Sequence, residues 1–350
     1  MLKESRLDFI LVIVIGFFLV LSFIVLKSIA PSVFPSYLIF VIISIISFYV
    51  FSKIDFDVLS LFSNHFYFVG VLLLLFTLII GQVTRGVIRW IPLGKLSVQS
   101  AEIAKPFFLI FLANYIYKEN ITFKRFIKAI LLSLLPLILV LIQPSLGIAL
   151  LTAVGFLGVF LASSLKKKYF FYLAIFLLLI TPLLWLILAP YQKARIYSFL
   201  NPFSDPLGKG YNSIQSVISV GSGGLFGRGL GKGVQTQLSF LPEKKTDFIF
   251  ASISEELGFL GATLVIIGFF LILWRITLYI TRAKSPQARA YLCGLFATLF
   301  TQMFIHVGMN MGLLPITGVP FPLISAGGSS LLATMTALGI ALGTGKRVPS

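Results

Sequence analysis

Four of the eleven acidic residues of this 350-residue chain fall in one stretch, LPEKKTDFIFASISEELG, from Leu241 to Gly258. They are Glu243, Asp247, Glu255 and Glu256, and the stretch starts polar and ends in a long apolar run. Thr246 suits an N-cap and Asp247 the first helical turn, where the helix dipole favours an anion. On that reading Asp247 is a helix-start acid paired with Lys244 or Lys245. Glu255 and Glu256 lie two turns deeper, and a carboxylate entering an apolar medium needs a partner or a cavity. The cations between Ile88 and Lys105 are the partners on offer. An ionisable residue near a membrane span is a functional candidate by default, usually facing the bundle interior.

Three further stretches break the apolar pattern. In RGVIRWIPLGKLSVQSAEIAKP, Arg89 and Trp90 form an interfacial pair with the indole at headgroup depth, and Glu102 and Lys105, three apart, share a helical face and can pair. In GYNSIQSVISVGSGGLFGRGLGKGVQTQL, seven glycines from Gly221 to Gly233 accompany Ser222 and Arg228. Their backbone N–H groups could cradle phosphate, or the glycines could simply make tight turns; without a preceding strand this is no dinucleotide fingerprint. In GMNMGLLPITGVPFPLISAGGSS, Pro315, Pro320 and Pro322 interrupt helix without making the segment polar. Non-helical backbone at such depth must be buried in protein or line a wet cavity, so a re-entrant segment is expected.

The elements that must position these residues are membrane spans. The chain is 58% hydrophobic and 11% charged, with mean hydropathy +1.03 and net charge +17. A soluble chain carries about 25% charged residues, so this one cannot cover a water-facing surface. Apolar runs long enough to cross a bilayer recur, and they do not alternate as barrel strands do. The expected fold is all-α and polytopic, one membrane domain over 1–350. About ten spans fall near 8–27, 33–52, 66–83, 100–117, 126–143, 145–163, 169–189, 248–279, 287–308 and 328–345. The first run is too long for a signal-peptide core. Cys293 lies in an apolar run and reads as a buried thiol.

Lys and Arg concentrate in alternate short connections: Lys3 and Arg6, Lys53, KENITFKRFIK, SSLKKKYF, RITLYITRAKSPQAR and the tail GKR. By the positive-inside rule these are cytoplasmic, as are both termini. The opposite side is also basic, with Arg85, Arg89 and Lys95 in one segment. A long loop between the seventh and eighth spans, about 190–247, adds Lys193, Arg195, Lys209, Arg228, Lys232, Lys244 and Lys245. That loop is either solvated surface or a cationic face for an anionic substrate, with arginine suited to phosphate.

The string GYNSIQSVISVGSGGLFGRGLGKGVQTQLSFLPEKKTDFIFASISEELGFLGA closely resembles the signature of the SEDS family of shape, elongation, division and sporulation proteins. RWIPLG with SAEIAK, QPSLGIAL, and GMNMGLLPITGVPFPLISAGGSSLL resemble three more of its motifs, in the family's order. GVQTQLSFLPE is closer to the RodA elongation branch than to the FtsW division branch. The resemblance implies a ten-span peptidoglycan glycosyltransferase of the bacterial cytoplasmic membrane. Such an enzyme polymerises lipid II at the outer face and works with a class B penicillin-binding protein, among membrane lipids and without nucleic acid. It also implies that Asp247, in TDFIF, is essential for catalysis. The chain departs from the family pattern at Lys245, where His is common, at Ser145 for Asp, and at Ser100 for Pro.

The chemistry that follows is an inverting displacement, with Asp247 as base, acceptor-orienting group or metal ligand. Arg89, Trp90, Lys105, Arg195, Ser222, Arg228 and Lys245 are candidates for substrate binding, and Glu102 and Glu256 for orienting the cations. A lipid flippase, a division-branch polymerase and a non-catalytic scaffold for a transpeptidase are the competing readings. The first shares the many spans and broken segment of transporters, although the reactive residues gather on one side and no inverted repeat is evident.

Overall fold

An apolar chain satisfies its backbone in a bilayer by forming helices, and helices dominate here. The computed structural model describes residues 8–345 apart from 85, 86, 95, 118–121 and 164–166. Arg85 and Lys95, and the terminal cations Lys3, Arg6, Lys346 and Arg347, lie outside the described residues. In chain order the elements are α1 (Phe9–Ile29), α2 (Phe34–Lys53), α3 (Phe56–Leu61) and α4 (Ser63–Ile80). Next come β1 (Gln82–Thr84), β2 (Val87–Leu93), β3 (Leu96–Val98), α5 (Ser100–Tyr117), α6 (Phe123–Ile142) and α7 (Leu146–Ala162). The remainder is α8 (Lys167–Ile187), α9 (Pro190–Leu200), α10 (Tyr211–Ser222), α11 (Val234–Gln237), α12 (Ile249–Arg282), α13 (Pro286–Asn310) and α14 (Gly328–Gly343).

A helix stands on each of the ten apolar runs. Among the described residues α1, α2, α4, α6, α12 and α13 are long and apolar enough to cross a membrane, while α7 and α14 are shorter apolar helices. The protein is therefore a multi-pass membrane protein. The all-α expectation needs one correction. The strands β1, β2 and β3 form a small antiparallel sheet in the order β1-β2-β3, with Val83 opposite Ile88 and Pro92 opposite Ser97. The run VIRWIPL is rich in β-branched and aromatic side chains, which fit a pleated strand. Residues 311–327 form no helix, in keeping with their prolines.

The chain separates into two compact units. The first comprises Met1–Ser163, Ile266–Gln302 and Pro322–Ser350. Here α14 packs along α2, and α4 along α5. Small residues permit close approach: a β-carbon on Gly70 would lie 2.7 Å from the Phe108 ring, and one on Gly339 2.7 Å from the Phe48 carbonyl oxygen. Asp8 caps α1 through Leu11 N–H and also takes Arg275 Nε at 2.7 Å and the Tyr279 hydroxyl. Burial raises the Asp8 pKa, but hydrogen bonds from Tyr279, Arg275 and Leu11 outweigh it and leave the carboxyl below its ordinary value.

The second unit comprises Ser164–Val265 and Met303–Phe321. Its small core is Leu241, Phe248 and Ala251, flanked by Val220 and Ile316. Those residues surround the turn that carries Asp247.

Candidate active site

Asp247 sits in the turn 242–248, two residues before α12 begins at Ile249. The expectation of a Thr246 cap with Asp247 in the first helical turn is thereby corrected. The Thr246 hydroxyl donates instead to the carboxylate of Glu243, which itself has φ +49°. Phe248 supplies the first intrahelical acceptor, to Ser252 N–H. Its side chain is buried and packs with Leu241 and Ala251. Asp247 itself is half-buried.

Two elements approach the carboxylate. Gly318, at φ +70°, is so close that a β-carbon there would stand 3.5 Å from Asp247 Oδ2 and 3.8 Å from Arg195 Nη1. Arg195, exposed on α9, also donates from Nη1 to the carbonyl of Ile316 at 3.3 Å. An anion and a guanidinium thus flank one glycine, with no side chain between them. A hydroxyl approaching Asp247 would do so beside a fixed positive charge.

Glu255 and Glu256 are fully buried, and their partners differ from those the sequence offered. Glu255 takes the N–H groups of Gln235 and Thr236, at 2.8 and 3.0 Å, which open α11. Glu256 Oε1 takes Gly231 N–H at 3.1 Å and Gln237 Nε2 at 3.0 Å. Their backbones act as well. α12 breaks at Gly258, so the carbonyls of Glu255 and Glu256 accept from Arg228 N–H and Gly229 N–H, at 2.9 and 3.0 Å. The freed N–H groups of Phe259 and Leu260 return to the carbonyls of Gly224 and Leu225. The glycine-rich stretch is therefore a strap hydrogen-bonded onto a helix kink. With Gly227 N–H on Gly223 as well, Gly227, Arg228, Gly229 and Gly231 have no backbone N–H left over for phosphate. The alternative role, tight turns, is the one their geometry serves.

Arg228 is exposed on this strap, and Ser222 caps back onto Ser219 at the end of α10. Lys245 is half-buried in the Asp247 turn. Its neighbour Lys244 donates to the carbonyl of Thr236 and to Ser239 Oγ, the latter at 3.3 Å. Burial lowers the Lys244 pKa; Glu256 and Glu255 oppose that shift and Lys245 adds to it. The remaining candidates belong to the first unit. Lys105 and Glu102 form the expected ion pair at 2.8 Å, almost completely buried, with Glu102 Oε1 lacking a hydrogen-bond partner. Arg89 stacks over Trp90 on β2, 6.0 Å from the ring centroid.

Asn310 and His306 were not singled out from the sequence. They lie one turn apart on α13, both with no exposed surface, and both touch the Asp247 neighbourhood. The available signal was two polar side chains four residues apart in an apolar helix, a pattern that normally marks a partnered interior position.

Known proteins carry this arrangement further. Residues 5–346 match the family model described as "Cell cycle protein", the FtsW/RodA/SpoVE family. The chain belongs to the SEDS family. Peptidoglycan glycosyltransferase MrdB of Escherichia coli K12 is 38% identical over 79% of the chain and 76% of its own length. Stage V sporulation protein E of Bacillus subtilis is 33% identical over 97% of each. Among solved structures, one titled "Structural coordination of polymerization and crosslinking by a peptidoglycan synthase complex" aligns with a TM-score of 0.81. It is 30% identical over 96% of this chain and 97% of that one. The Thermus thermophilus rod shape determining protein RodA aligns with a TM-score of 0.72 at 26% identity, over 97% and 96%. RodA-like and FtsW-named SEDS proteins are both among the relatives, the latter including a probable FtsW of Pseudoalteromonas translucida at 40% identity, over 78% of the chain and 70% of its own length.

Proposed function

We propose that this SEDS protein is a peptidoglycan glycosyltransferase that polymerises lipid II, with Asp247 as the base or orienting group for the acceptor. The observation that carries the reading is that the Asp247 carboxylate and the Arg195 guanidinium both come close to Gly318. A sugar 4-hydroxyl attacks the anomeric carbon and its proton passes to the Asp247 carboxylate. The bond from that carbon to the pyrophosphate oxygen breaks, and the polyprenyl pyrophosphate leaves. One displacement turns an α-linked donor into a β-linked product. The base must lie within hydrogen-bond reach of the hydroxyl, and cations must face the departing phosphate. Arg195 is suited to the second task by position, and Arg228, Arg89, Lys245 and Lys105 by charge. Lys105 is already neutralised by Glu102, which makes it the weakest of these.

A metal version of the Asp247 role would use that carboxylate together with the substrate phosphates, because Mg2+ is commonly held by one or two carboxylates and phosphates. Among the described residues no three His, Cys, Asp or Glu side chains gather, so such a site would not be a dedicated protein cage.

The elongation branch is our preferred assignment, on the GVQTQLSFLPE string and the likeness to RodA. The partner would be a class B penicillin-binding protein, as suggested by the likeness to a synthase complex that couples polymerisation and crosslinking. The site would face the outside of the cytoplasmic membrane, with ten spans, both termini inside and the lipid tail kept in the bilayer. Purified lipid II incubated with the protein should yield glycan ladders. Transport of labelled lipid II in proteoliposomes without any ladder would favour the flippase reading instead.

A further inference from the structure

In a regular helix the N–H of Ala251 would donate to the carbonyl of Asp247, four residues back. Here the side-chain amide of Asn310 occupies that bond. Ala251 N–H donates to Asn310 Oδ1 at 2.9 Å, and Asn310 Nδ2 donates to the Asp247 carbonyl at 3.0 Å. The amide supplies one acceptor and one donor at a fixed spacing, so both backbone groups stay satisfied while the turn is held open. Asp247 consequently lies outside α12 although sequence alone places it in the first turn.

The wedge is itself held. Asn310 Nδ2 also donates to the carbonyl of His306 at 2.7 Å, and the Asn310 carbonyl takes the Ser216 hydroxyl at 2.8 Å. One turn earlier, His306 Nδ1 donates to the carbonyl of Val319 at 2.7 Å, beside Gly318. The opposite ring nitrogen, Nε2, is buried without a hydrogen-bond partner. Leaving a buried acceptor unmade is unfavourable, so the imidazole is placed for its one bond to the non-helical segment. The same face of α13 therefore grips both sides of the Asp247–Gly318 contact.

We infer that Asn310 is a positioning residue for the reaction, wedged into the start of α12 so that the Asp247 carboxylate is turned out toward Gly318 and Arg195. This rests on the reading of Asp247 as base or orienting group. Without the amide, Ala251 N–H closes onto the Asp247 carbonyl and the carboxylate swings into the helix line. A misplacement of about 1 Å can cost about 100-fold in rate.

The test measures lipid II polymerisation by wild type, Asn310→Ala, Asn310→Asp and Asp247→Asn, each corrected for folded protein by gel filtration. Asn310→Asp retains the acceptor for Ala251 but loses the donor to Asp247. Both Asn310 variants should lose roughly 100-fold in kcat with KM for lipid II within about threefold of wild type. Amide exchange over residues 247–252 should stay as slow in Asn310→Ala as in wild type, since the N–H of Ala251 exchanges one acceptor for another. Wild-type kcat in folded Asn310→Ala, or a loss confined to KM, with Asp247→Asn inactive, would overturn the wedge alone. Faster exchange over 247–252 would also overturn it, since that reports a loosened turn in place of a closed helix. Full activity of Asp247→Asn would overturn the reading of Asp247 and this inference with it.

Discussion

Gly227 and Gly258 meet backbone to backbone: a β-carbon on Gly258 would stand 2.2 Å from the Gly227 nitrogen, and Gly258 has φ +68°. This contact lets the strap cross the kink of α12 and exchange hydrogen bonds with it. Gly258→Ala faces both a left-handed backbone and a clash with main chain that cannot rotate away. The two terms together predict a loss of about 3 kcal/mol. Thermal unfolding in detergent should show the loss, and proteolysis at Arg228 should accelerate.

The Gly318 position calls for a different signature. A methyl there meets Asp247 Oδ2 and Arg195 Nη1 at ordinary van der Waals distances, so the only folding cost is the positive φ, about 1 kcal/mol. The catalytic loss should be larger than that, since the methyl lies between the carboxylate and the guanidinium. Gly318→Ala is expected to keep most of its thermal stability while kcat falls about tenfold or more. Parallel melting and turnover measurements check this.

Much of this organisation could be read in the sequence, and the failures share a cause. That a helix stands on each apolar run follows from run length alone, and Glu102 with Lys105 from i,i+3 spacing. Asp247 stood out through its motif. Its actual setting did not, because the amide that opens its turn comes from residue 310. Likewise Glu255 and Glu256 had to find partners, but apart from the Gln237 side chain those partners are main-chain N–H groups about twenty residues earlier. Backbone groups have no letter in a sequence. The short strands β1–β3 were hidden by their shortness and by the strong expectation of helix.

The Glu102–Lys105 pair predicts a rescue. Removing one partner of a buried ion pair leaves an uncompensated charge and costs about 3–5 kcal/mol, whereas replacing both is often neutral. Lys105→Met should melt well below wild type, and Glu102→Gln/Lys105→Met should recover most of the difference. If Lys105 also binds substrate, polymerisation stays impaired in the double variant. Recovery of both stability and turnover would restrict Lys105 to the ion pair.

The Asp8 clasp predicts a pH dependence. Its carboxyl titrates below the ordinary value of 3.8, so the ionised form is tied more strongly to the folded state. That stabilisation is fully present above pH 3.8 and fades as pH falls through the folded value. Asp8→Asn should cost about 1.5–3 kcal/mol at pH 7, in proportion to charge-assisted bonds to Arg275 and Tyr279. The gap between wild type and variant should narrow below pH 3.8. A gap independent of pH in melting curves would show that the charge of Asp8 contributes nothing.

Asp247 is the group on which the proposed glycan polymerisation turns. The most direct test is polymerisation of purified lipid II by wild type and by Asp247→Asn, each alone and with the proposed class B penicillin-binding protein, with products resolved by length. Asparagine keeps the size and hydrogen-bonding ability of the side chain and removes its charge and basicity. Wild type should give ladders and Asp247→Asn none at equal folded protein. Ladders of wild-type intensity from the variant would contradict this.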